Sequence, residues 1–177
     1  MGSIRSFLQF RIQPWSLLRL MLLVFLLVAG GVTVLVLPSM LKLVEHERTT
    51  QCANNLSNLW RMQNIYNTQF TGGQRKLMIQ STGKDFWLDL SRIPPPLLDE
   101  TSEYYVCPSS GTKATKGVCT YWGPAQDVNT MAESDPVGMC DDPHHGDEVI
   151  IFRKSGDVMQ CTRDDPPYKR ALQVLKK

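Results

Sequence analysis

The residues best equipped for chemistry in this 177-residue chain are five cysteines (Cys52, Cys107, Cys119, Cys140 and Cys161) and three histidines. They crowd most densely in Cys140-Asp141-Asp142-Pro143-His144-His145-Gly146-Asp147. Cys140 and His144 have a spacing that suits a shared metal ion, and Asp141, Asp142 and Asp147 could add oxygen ligands. A structural zinc site wants four sulfur or nitrogen donors, yet the other cysteines lie far along the chain and no C-x-x-C pair exists. Calcium takes six to eight oxygens, so the three aspartates make a weak candidate. The plainest reading is a solvated acidic loop pinned by a disulfide, with calcium second and zinc third, and with no resident cofactor.

Catalysis finds less support. A cysteine with His144 or His145 and an aspartate can be drawn as a triad, but triads are geometric and no local signature surrounds any cysteine. His46 sits between Glu45 and Glu47 and reads as solvated. No glycine-rich phosphate cradle is present. No catalytic residue is expected, and the chain reads as a non-enzyme.

Something must position these groups, and the first element to do so is apolar. From Leu20 to Leu37 there is no ionisable side chain. At 1.5 Å per residue this run is about 27 Å long, close to the hydrocarbon core of a bilayer. Arg5, Arg11 and Arg19 precede it with no acidic neighbour, while the other 16 of 19 Lys and Arg balance 17 Asp and Glu. A basic flank favours a cytoplasmic N-terminus. The run is longer than a signal-peptide core and no small-x-small site follows it, so an uncleaved segment is expected over a cleaved signal. No basic stripe suits nucleic acid. All five cysteines follow the run, on the side expected to be oxidising, which favours disulfides. Cys107–Cys119 and Cys140–Cys161 are the preferred pairs, leaving Cys52 unpaired, with Cys52–Cys107 as the chief competitor.

Beyond Pro38, Cys52, Leu56, Leu59, Met62 or Gln63, Tyr66 and Phe70 recur at close to 3.6 residues, one stripe of a helix. Asn54, Asn55, Asn58, Arg61 and Asn64 are assigned to the opposite side, and Gly72-Gly73 to the helix end. A brief helix is expected in 83–90, and Pro94-Pro95-Pro96 as a rigid connector. Tyr104–Cys107, Val118–Trp122, Val149–Phe152 and Val158–Cys161 read as strands, the last two as a hairpin around Lys154-Ser155-Gly156-Asp157. Gly123–Asp147 reads as a long contact-bearing loop, and Ala171–Leu175 as a last helical turn. The expected class is α+β: a cytoplasmic flank (1–16), a transmembrane helix (17–38), a stem helix (39–71) and an extracytoplasmic domain (72–177) on a small antiparallel sheet.

This layout resembles type IV pilins and type II secretion pseudopilins. It is most similar to the pilin-like proteins of planctomycete-type bacteria at Cys52-Ala53-Asn54-Asn55-Leu56, Cys107-Pro108-Ser109-Ser110, Tyr121-Trp122-Gly123-Pro124 and the His145–Val158 segment. The resemblance implies a single-pass protein of the bacterial inner membrane that acts by assembly. Its partners would be lipid, other pilin-like subunits or secretion machinery. It also implies a processing point between Ser16 and Leu17. There the chain departs from the pattern, because Ser16 replaces the usual glycine and Met21 occupies the place of the buried glutamate. An uncleaved relative or a minor tip-like subunit is therefore expected.

Overall fold

In the computed structural model, which describes residues 14–71, 81–141 and 145–175, one helix dominates the N-terminal half: α1, Pro14–Thr71. The chain divides into two compact units, 1–43 and 44–177. In the first, Leu, Val and Phe side chains from Leu17 onward are exposed on every side of the helix. The most apolar window of Leu17–Gln69 has a mean hydropathy of 2.9 with none of it buried, so this one helix is long and apolar enough to cross a membrane. Pro38 lies inside α1. It has no N–H for the carbonyl four residues back, and the helix continues through it. Arg5, Arg11, Gly72 and Gly73 lie outside the described residues.

In the second unit α1 is amphipathic in burial. Thr49, Cys52, Asn55, Leu56, Leu59, Trp60, Gln63, Tyr66 and Asn67 are all buried, a three-four spacing that places them on one face. Asn55 thus belongs to the core face and not to the solvent side. Its Nδ2 donates to the carbonyls of Val106 (3.3 Å) and Glu103 (3.4 Å), groups that no ladder satisfies. Gln63 does the same for the Phe86 carbonyl at 2.9 Å.

The sheet is antiparallel, in the order β1 (Pro136–Cys140), β2 (Glu148–Arg153), β3 (Val158–Thr162). β2 is buried on both faces. Ile150 and Phe152 join Leu56, Leu59, Trp60 and the aromatic face of α2 (Asp85–Arg92), while Val149 and Ile151 meet Ala171 and Leu175 of α3 (Pro166–Leu175). This is the period-2 alternation of a strand covered by helices on either side. The β2–β3 hairpin turns at Gly156, whose φ of +95° suits glycine.

Two expected strands are not strands. Glu103–Tyr105 is a 3₁₀ turn, and of Tyr121-Trp122 only Trp122 makes a bridge, to Met139. Pro108, Gly111 and Gly117 break the run, the two glycines at φ +64° and +75°. Conversely, β1 lies within the segment expected to be loop. Its register slips between Pro136 and Gly138, a bulge that accommodates two residues hostile to regular strand. The last helix is a full ten residues, longer than the expected turn.

Candidate metal centre

Four elements of the second unit converge on one buried point. The buried face of α1 presents Cys52; the loop after the 3₁₀ turn presents Cys107; β1 ends at Cys140; and His145 lies just ahead of β2. Their sulfur and nitrogen donor atoms all lie within 4.8 Å of one another. The residues are 0, 1, 1 and 3 % exposed, which seals the group from solvent.

Each donor is held from behind. Cys107 heads a tight turn in which the N–H and hydroxyl of Ser110 donate to its carbonyl at 3.0 and 2.8 Å. Its own N–H donates to Thr120 Oγ1 at 2.7 Å. Cys140 pairs with Ile150 at the end of the β1–β2 register. The segment that links Cys140 to His145 is clamped at both ends by Arg163, which donates to Asp141 Oδ1 (3.0 Å) and to the Gly146 carbonyl (2.6 Å).

His145 is oriented by its two nitrogens. Nε2 lies 3.0 Å from the Cys107 sulfur. Nδ1 faces three oxygens: Ser109 Oγ at 3.3 Å, Thr49 Oγ1 at 3.4 Å and Glu45 Oε1 at 3.5 Å. Thr49 already donates its hydroxyl proton to the Glu45 carbonyl (3.0 Å), so it turns a lone pair to the imidazole. A neutral ring with its proton on Nδ1 satisfies this arrangement and leaves Nε2 as a ligand.

The thiols do not share one acidity. Hydrogen bonds from Cys140, then Cys52, hold the Cys107 thiol far below its ordinary range, helped by His145 and the Ser109 amide. Cys140 is pushed up, first by its hydrogen bond to Cys107 and then by that to Cys52. Cys52 is also raised, chiefly by Cys107. Without a cation the pocket therefore favours one thiolate and resists the second and third, because like charges in a buried space oppose each other.

Protein-family models, curated proteins and solved structures gave no match to this chain.

The other expected site residues fall elsewhere. All five cysteines are free thiols, so neither Cys107–Cys119 nor Cys140–Cys161 is bridged, and nor is Cys52–Cys107. Cys119 is buried apart from the cluster, its sulfur 3.7 Å from the Tyr121 carbonyl, and burial pushes its thiol up to about 12. Cys161 is partly exposed on β3. Of the calcium candidates, Asp141 gives one oxygen to Arg163 and the other to the Tyr168 hydroxyl (2.9 Å). Asp147 is exposed. Asp142 lies outside the described residues, as does His144. Sequence reasoning placed a ligand on His144 where the geometry gathers His145. It also treated Cys52 as a leftover where the geometry makes it a member. The helix stripe was the available signal, since its phase turns Cys52 inward.

Chemically the group offers three thiolates and one imidazole to a borderline-soft cation. A cleft of about 830 Å³ beside it is lined by Gln51, Asn55, Glu103, Tyr104 and Lys113. Cys107 also lines it, yet at 1 % exposure it offers a substrate almost no access.

Proposed function

We propose that this chain is a pilin- or pseudopilin-like structural subunit of a bacterial inner membrane. It is held there by one helix with its N-terminus in the cytoplasm, and works by assembly or partner contact in a secretion or surface-filament system. The observation that carries this reading is the double use of α1. Its first turns expose apolar side chains all round, while its later turns supply the buried face of an α+β unit. Apolar exposure on that scale needs lipid or neighbouring helices as its solvent.

A second reading, a membrane-tethered extracytoplasmic metal or thiol enzyme, draws on the Cys/His cluster. Burial of all four donors weighs against it, because a catalytic metal keeps an open position and a catalytic thiol needs access.

The test is the intact mass of the protein extracted from its native membranes by detergent. Loss of residues 1–16 would mean prepilin-type processing and favour a filament. A full-length mass in the membrane fraction would mean a permanently anchored subunit. Recovery in the soluble fraction without detergent would refute the membrane reading.

A further inference from the structure

The four donors meet the requirements of a closed structural zinc site in number, type and burial. Zinc takes four thiolate or imidazole ligands in a tetrahedron, with Zn–S of about 2.3 Å and hence sulfurs about 3.8 Å apart. Donor atoms that already lie within 4.8 Å of one another need shifts of an ångström or less to reach that shape. The donors come from a helix, a turn, a strand end and a pre-strand loop, so their convergence is tertiary and does not follow from a local motif.

We propose that Cys52, Cys107, Cys140 and His145 bind one structural zinc ion that fastens α1 to the sheet. Binding forms three Zn–S bonds and one Zn–N bond to His145 Nε2, and each of the three thiols that still holds a proton loses it to solvent as its Zn–S bond forms. The site then carries one net negative charge, where three bare thiolates would carry three.

The surroundings support this assignment independently of the donors. Ligating histidines commonly donate their second N–H to a carboxylate or hydroxyl. Here Glu45 Oε1 is a buried oxygen with no hydrogen bond, 3.5 Å from His145 Nδ1. A metal on Nε2 makes the Nδ1 proton a stronger donor and gives that orphaned oxygen its partner. Cys119 and Cys161 stand outside the group and are not ligands.

The experiment is elemental analysis of the full-length protein, purified in detergent without chelators, as isolated and again after reduction and addition of zinc. One zinc per chain is expected, unchanged in Cys161→Ser and lost in Cys107→Ser and Cys140→Ser. Because those ligand variants can fail to fold, the wild-type protein is also loaded with Co²⁺. A tetrahedral ligand-field spectrum with sulfur-to-cobalt charge transfer is expected. Absence of zinc under both conditions, iron in its place, full zinc retained by a folded ligand variant, or an octahedral cobalt spectrum would each overturn the assignment. None of these outcomes depends on whether the membrane reading holds.

Discussion

Gly138 is where packing and the candidate metal centre can be perturbed together. It sits on β1 beneath α1 and α2. A Cβ added there would lie 2.8 Å from Trp87 Cζ2 and 3.1 Å from Leu56 Cδ2. Both neighbours are fully buried. The indole cannot swing away cheaply, because its Nε1 donates to the Trp122 carbonyl at 3.2 Å and its ring packs edge-on against Phe86 at 4.8 Å. Overpacking of this kind costs about 1–3 kcal/mol. At roughly 4 °C per kcal/mol for a domain of this size, Gly138→Ala should lower the melting temperature by about 4–12 °C. Relief has to come from α1 moving off β1, and Cys52 is one helical turn from Leu56 while Cys140 is two residues from Gly138. The same substitution should therefore weaken zinc retention. Thermal unfolding of the detergent-solubilised chain, followed by tryptophan fluorescence, gives the first number, and chelator competition the second. Leu56→Val in the same background should recover part of the loss, since it removes the Cδ2 methyl, one of the two groups that the added Cβ meets. A melting temperature within about 2 °C of wild type would refute the packing argument.

Two further perturbations test the site's support and its buried thiols. Arg163→Ala leaves every ligand in place but removes the clamp across Asp141 and Gly146. Zinc affinity should fall about 10-fold by chelator competition, the lower end for supporting residues. Arg163→Lys should rescue it poorly because one ammonium lacks the guanidinium's fork. An unchanged affinity would show that the loop holds its own shape. Alkaline pH should destabilise the second unit through Cys119 and Tyr105, each pushed up to about 12, chiefly by burial, from ordinary values of 9.0 and 10.0. Both are neutral when protonated, so their contribution is complete below pH 9 and is lost as pH rises towards 12, where only the unfolded chain ionises readily. For Cys119 the loss reaches on the order of 4 kcal/mol. Cys119→Ala should flatten the urea midpoint between pH 9 and 12, and an unaltered slope would show that this thiol is not the cause.

The parts of the fold legible in the sequence were those with a strong local period. The stripe through Cys52, Leu56, Leu59 and Tyr66 is the buried face of α1, and Val149–Phe152 with Val158–Cys161 is a hairpin closed at Gly156. Asn55 was assigned to solvent on polarity alone, although its phase, three after Cys52 and four before Leu59, points inward. A buried amide is tolerated there because the irregular backbone at Glu103 and Val106 turns two carbonyls towards its Nδ2 as acceptors. Tyr104–Cys107 and Val118–Trp122 have strand-like composition but are folded as 3₁₀ turn and loop, where Tyr105 and Tyr121 bury their rings in the core outside any strand ladder. β1 was hidden by the opposite error. Pro136 and Gly138 argue against a strand, and only tertiary contacts explain them: the proline opens the strand and the glycine lets Trp87 and Leu56 approach.

The cluster was illegible for a different reason. Each donor looks ordinary in its own segment, and the rule that thiols beyond a membrane helix pair up directs attention to two-by-two bridges. Three thiols in one pocket do not obey it. Any single disulfide among Cys52, Cys107 and Cys140 would leave the third sulfur alone in the pocket beside His145. It would also join only two of the elements that the core brings together. A metal engages all four groups at once and lowers the charge that a fully ionised pocket would carry. The odd cysteine count, which looks like a leftover when counted in pairs, is what a three-sulfur, one-nitrogen centre plus two bystander thiols requires.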